Sequence, residues 1–229
     1  QQLFQVYPDC FIYVERELLN GTIRKGVVGA VDLEQYDFHP QSKAAIRATE
    51  ETVAERIPPR MNIRRNAPLE LPHVLLLCDD DEKLLVESLT AKKASLPLLY
   101  DFQLMLGGGR IQGWLVAGKD AEAFMQQLDA YEKRMQTRYG ESGVMYAVGD
   151  GNHSLASAKG CYEENTANEK ARYALVELEN IHDEAQVFEP IHRIIKQTDA
   201  QALLEAMQAA ISKDFGSPIH WQIGEESGT

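Results

Sequence analysis

Asn20-Gly21 lies between two runs rich in apolar and β-branched residues, Phe11-Ile12-Tyr13-Val14 and Ile23 through Val31, and Gly107-Gly108-Gly109 separates two more, Leu98 to Met105 and Arg110 to Ala117. Glycine-bearing turns flanked by such runs fold into antiparallel hairpins, because the positive φ of a tight turn costs glycine nothing and asparagine little. Both hairpins commit their arms to a sheet. Helical periodicity is interleaved with them: Phe124, Leu128, Tyr131 and Met135 mark one face of a helix from about Asp120 to Tyr139. Ala44 to Ala54 has helical composition, and His73 to Cys78 reads as a short strand entering Asp79-Asp80-Asp81-Glu82 and a helix through about Ala91. Further on come a strand at Val144 to Val148, a helix at about 153–164, a strand at Arg172 to Leu178, an extended segment at Val187 to Ile195 and a helix near Asp199 to Ser212. Strands in hairpins with interspersed helices predict an α+β fold: a mixed, largely antiparallel sheet with flanking helices.

A chain of 229 residues can bury a substantial core. It reads as one α+β domain over 1–229 or as a fragment of a longer chain with native parts missing at both ends, since it opens on Gln1-Gln2-Leu3-Phe4 and closes on Gly224-Glu225-Glu226-Ser227-Gly228-Thr229. The formal net charge of −12 repels phosphate backbones and anionic headgroups, so a small-molecule ligand is expected rather than nucleic acid or a membrane. No apolar run approaches the length that spans a bilayer. Cys10, Cys78 and Cys161 are odd in number and far apart, which reads as reduced thiols of a cytoplasmic protein.

Chemistry concentrates at Gly149-Asp150-Gly151-Asn152-His153-Ser154, where the strand at 144–148 meets an Ala-rich helix. A glycine-rich turn delivering a strand into a helix aims backbone N–H groups and the positive end of the helix dipole at one spot, which suits a phosphate or carboxylate. Turn residues and a helix cap from Asn152 or Ser154 account for the same letters without a ligand. Other motifs fail on spacing. Gly113 to Lys119 matches G-x-x-x-x-G-K, but Asp120 stands where a P-loop needs Ser or Thr. Gly107–Gly109 lacks the dinucleotide fingerprint, so no NAD site is expected, and the six histidines form no zinc spacing. Asp79-Asp80-Asp81 suits either magnesium or the capping of the adjacent helix. Arg47, Arg56, Arg60, Arg64 and Arg65 gather around Glu50, Glu51 and Thr52, offering guanidinium forks for phosphate oxygens and a carboxylate for a hydroxyl proton. A solvated arginine-rich loop is the alternative. Phe188-Glu189-Pro190-Ile191-His192-Arg193 carries a further His-Arg pair.

In order along the chain, several segments resemble the bacterial and archaeal DUF1015 family of unknown function. They are Tyr13–Arg16, Arg24–Tyr36, Arg47–Thr52, Pro72–Leu77, Ala147–Ser154 and Pro190–Arg193. The resemblance spans roughly residues 7–195. Asp150, Gly151 and His153 match the family's Asp-Gly-His-His-Arg loop, while Asn152 and Ser154 depart from it; Glu50 and Thr52 match a His-Glu-x-Thr element in which Thr49 replaces the histidine. The Asp-Gly-x-His loop, with its strand-loop-helix element at 144–164, also looks more distantly like the phosphate-contacting loop of the ParB/sulfiredoxin superfamily, which includes free serine kinases.

That resemblance implies a small-molecule phosphotransferase acting on the hydroxyl of serine or a similar metabolite. Gly149, Gly151, Asn152 and Ser154 would hold a nucleotide or pyrophosphate donor, and Asp150 would orient Mg2+ or the acceptor. His153 would bond a phosphoryl oxygen and Glu50 would act as base; Arg47, Thr52, Arg60, His192 and Arg193 would contact phosphate or ligand. The competing expectation is a non-catalytic nucleotide- or metabolite-binding module built on the same loop. The phosphotransferase mechanism requires Glu50 and Asp150, a hundred residues apart, to meet.

Overall fold

The computed structural model describes residues 4–71, 74–140, 142–188, 196, 198–211, 220–223 and 226–228. They divide into two compact units, Gln1–Val187 and Phe188–Thr229. In the first unit the strands are β1 (Cys10–Glu17), β2 (Ile23–Asp32), β3 (Tyr36–Asp37), β4 (Ile46–Ala48), β5 (Leu75–Cys78), β6 (Leu98–Gln103), β7 (Arg110–Ala117), β8 (Tyr146–Asp150) and β9 (Tyr173–Asn180). Its helices are α1 (Ile57–Arg64), α2 (Val86–Lys92), α3 (Lys119–Tyr139) and α4 (Asn152–Glu164). The second unit contains α5 (Ala200–Ile211) and the hairpin of β10 (Trp221–Ile223) and β11 (Glu226–Gly228). No helix among the described residues is long and apolar enough to cross a membrane.

The nine strands of the first unit form one sheet in the order β3-β4-β8-β5-β9-β2-β1-β7-β6. Both expected hairpins are present, as β1–β2 and β6–β7, and β1 pairs along its whole length with β7. Antiparallel neighbours dominate; the parallel pairs are β3–β4, β4–β8 and β5–β9. The fold is therefore α+β with a mixed, largely antiparallel sheet, as the hairpin pattern predicts.

Register sorts the side chains. Tyr13 lies opposite both Val27 and Trp114, Val27 opposite Leu178, and Leu76 opposite both Leu178 and Val148, so these side chains share one face. They pack with Val86 and Leu89 of α2, Phe124, Tyr131 and Met135 of α3, and Leu155, Ala158 and Tyr162 of α4 in a single core. Helices thus cover one face, and the periodic stripe read for 120–139 is the stripe α3 buries.

Two local expectations change. Ala44 to Ala54 is not helical: Ile46–Ala48 is a strand, and only Ala54–Arg56 makes a short 3-10 turn before α1. Helix propensity is a weak prior, and pairing between β3 and β8 overrides it while burying Ile46. The acids at 79–82 do not begin a helix beside them; Asp80 instead accepts the Leu85 N–H at 2.7 Å just before α2 and pairs with Arg134 at 2.6 Å. The look-alike P-loop is strand, since Gly113–Ala117 belongs to β7. Much of the extended segment expected at 187–195 lies outside the described residues.

On the opposite face of the sheet Glu179 is fully buried, with Arg24 Nε 2.9 Å from its Oε1 but not aligned to bond it, and Gln186 donating to its Oε2. Burial pushes this carboxyl up to about 7, against the attraction of Arg24. Between the unfolded carboxyl value of about 4.3 and the folded value, the native state holds a proton that the unfolded state has lost. Stability on this account falls as pH rises through that window. Glu179→Gln is expected to be more stable than the parent at pH 8, by roughly 4 kcal/mol at most, and to match it near pH 4.5. Urea unfolding at both pH values checks this; an unchanged pH slope in the variant would contradict it.

Candidate functional site

β4 and β8 run parallel, with Ile46, Arg47 and Ala48 opposite Tyr146, Ala147 and Val148. Parallel strands end at the same edge of a sheet, so Thr49 and Glu50 leave β4 beside Gly149 and Asp150 leaving β8. The hundred-residue separation closes through three pairs of strand residues. Gly151 then turns the chain into α4 with φ +88°, a left-handed conformation that L side chains adopt only under strain. Gly149 has a different reason to be glycine: a Cβ there would lie 2.8 Å from the Leu77 side chain on the neighbouring strand.

Asn152 does not cap the helix. It is buried, its Oδ1 accepts the Thr49 N–H at 3.2 Å, and its Nδ2 lies 3.4 Å from both Thr49 Oγ1 and the Val148 carbonyl. Thr49 Oγ1 donates to the same carbonyl at 2.5 Å. Thr49 and Asn152 therefore bond each other and tie the ends of β4 and β8. Sequence assigns Thr49 no role at the site, because only strand pairing shows that it faces Asn152.

No side chain caps α4, and no acidic residue lies in its first turn. The N–H groups of that turn have no intrahelical partner by construction, which leaves Asn152, His153 and Ser154 presenting donors at the positive end of the dipole. Asp150 sits just ahead of them, exposed, its Oδ1 accepting the Gly151 N–H at 2.7 Å. His153 Nε2 accepts the Val53 N–H at 3.1 Å, which puts the ring proton on Nδ1. Nδ1 faces Glu50 Oε1 at 3.8 Å, and Glu50 is 62% exposed. Thr52 Oγ1, in the same loop, is buried with no hydrogen-bond partner.

The remaining expected residues separate. Arg47 points away: its Nε donates to the Ala44 carbonyl at 2.8 Å and its terminal nitrogen to the Ser142 carbonyl at 2.5 Å, so its guanidinium braces the loop entering β8. Arg60 lies on α1, donating to the Arg56 carbonyl at 2.9 Å, and lines a groove that Ser154 also lines. His192 and Arg193 lie outside the described residues. Among the described residues no three His, Cys, Asp or Glu side chains gather to hold a metal ion, so Asp150 offers a single carboxylate rather than a metal cage.

Asn152→Ala removes the acceptor of the Thr49 N–H, and Thr49→Val removes one partner of the buried Asn152 amide. Thr49→Val and Asn152→Ala are each expected to cost about 1–2 kcal/mol, and the double variant less than the sum, because the pair shares one network. Urea unfolding of the three variants measures the coupling.

The family model described as "Protein of unknown function (DUF1015)" matches residues 1–226. No curated protein and no solved structure matches the chain. The matched span takes in both hairpins, the β4–β8 pair and the 149–154 loop, and the chain belongs to the DUF1015 family.

Proposed function

We propose that the chain is a small-molecule phosphotransferase of the serine-kinase kind, binding a phosphate donor at the 149–154 loop. The observation that carries this reading is the meeting of Glu50 and His153 in front of an uncapped helix start, with Nδ1 and Oε1 3.8 Å apart. The open N–H groups of Asn152 to Ser154 suit phosphate oxygens. Glu50, largely exposed, is free to take the proton of an acceptor hydroxyl as its oxygen attacks phosphorus and the bond from phosphorus to the leaving phosphate oxygen breaks. His153, fixed by the Val53 N–H, orients that carboxylate; Thr52 Oγ1 supplies a buried hydroxyl with an unused bond. One free carboxylate oxygen of Asp150 suits magnesium that arrives on the donor's phosphates, which matches how magnesium is usually held. The distant likeness of the loop to ParB/sulfiredoxin-type serine kinases belongs to this proposal.

A second reading, a non-catalytic nucleotide- or metabolite-binding module, draws on Arg47, whose engagement with backbone carbonyls leaves the loop without the guanidinium expected there. Turnover separates the two. With serine, magnesium and ATP, ADP or pyrophosphate, Glu50→Gln is expected to lower the rate by about 10²–10⁴-fold, the usual yield of a positioned base, while donor affinity stays within about twofold. Asp150→Ala is expected to weaken donor binding itself. Donor binding without turnover in the parent protein would favour the module; no donor binding would remove the phosphotransferase and the nucleotide-binding form of the module together.

A further inference from the structure

Beside the loop, α1, α4 and the segment at 65–71 enclose a groove of about 820 Å³, with Ser154 at the loop and Lys170 among its lining residues. Its charge runs against that of the molecule: four cations, Arg60, Arg64, Arg65 and Lys170, face two carboxylates, Glu70 and Glu164, in a chain of net charge −12. The carboxylates are committed. Arg64 is paired with Glu70, and Arg65 takes Glu164 through two bonds of 2.9 Å. Arg60 bonds only the backbone carbonyl of Arg56, just before its own helix. The groove is not purely polar either: Ile63 and Leu69, 77% and 54% exposed, line the same space. Burial pushes the Cys161 thiol up, so this lining residue packs rather than reacts.

A ligand that fills such a groove carries negative charge together with a weakly polar body. We infer that the α1–α4 groove binds the nucleoside portion and inner phosphates of a nucleoside polyphosphate whose terminal phosphates sit at the 149–154 loop. This rests on the phosphate-donor reading of that loop and selects a nucleotide over pyrophosphate as the donor. Arg60 meets the inner phosphates; Ile63 and Leu69 meet the base. The two paired arginines keep the groove's shape, because their bidentate and acid-backed contacts span α1, α4 and the following segment.

The test compares Mg-ATP with Mg-tripolyphosphate by calorimetry on the full chain. Mg-ATP is expected to bind at least about tenfold more tightly, since a buried base adds contact that tripolyphosphate lacks. Arg60→Glu is expected to weaken Mg-ATP by about tenfold. Ile63→Asn and Leu69→Asn should weaken Mg-ATP while sparing tripolyphosphate. All three substitutions fall on groove-lining positions outside the core, and melting curves check that each variant folds. Gly151→Val should weaken both probes. Equal affinities for the two probes with neutral groove variants, while Gly151→Val still acts, would overturn the groove and leave the loop reading standing. Binding of neither probe, or binding of both without effect from Gly151→Val, would overturn the loop reading and this inference together.

Discussion

Parallel pairing between β4 and β8 is the constraint on which the candidate site hangs. Three residues on each strand set the register, and the bonds between Thr49 and the buried Asn152 side chain lock it just beyond the last strand residue. A buried amide is costly unless bonded, so this pair tolerates little sliding of one strand against the other. The positions of Glu50, Thr52 and Val53 relative to α4 all follow from it, and so does the ring orientation of His153.

The sheet divides labour between its two faces. One face carries the apolar core under α2, α3 and α4. The other carries a charged set in which Glu179 is completely buried with Arg24 beside it, and Glu177 is likewise raised by burial. At the end of the sheet where β5 and β9 leave, acids are consumed by partners: Asp79 by His182 and Tyr139, Asp80 by Arg134, Asp81 by Arg138. The acidic surplus of the sequence is therefore compensated there, which is why Asp79-Asp80-Asp81 acts as a brace for α2 and α3. In the groove between α1 and α4 the balance reverses, and cations outnumber carboxylates.

Much of the architecture was legible because the signals were local. Asn20-Gly21 and Gly107–Gly109 define hairpins through turn chemistry alone, and the spacing of Phe124, Leu128, Tyr131 and Met135 defines the buried stripe of α3. Ile46–Ala48 was illegible because three residues in a helix-rich composition carry no period, and only neighbouring strands make them a strand. Within the site, Asp150, Gly151 and His153 could be read from the turn, whereas Thr49 could not. Arg47 misled for the same reason: a guanidinium near Glu50 in sequence says nothing about which edge of the sheet its side chain reaches.

By itself the sequence determined the α+β class, the two hairpins, the long amphipathic helix and the existence of a glycine turn leading into a helix. Those depend on propensity and periodicity within a dozen or so residues, where chain geometry leaves few choices. Tertiary structure alone decided the strand order, the one-sided core, the meeting of Glu50 with His153 and the departure of Arg47. Those depend on contacts between residues a hundred positions apart, which no local pattern encodes until the sheet's register brings them together.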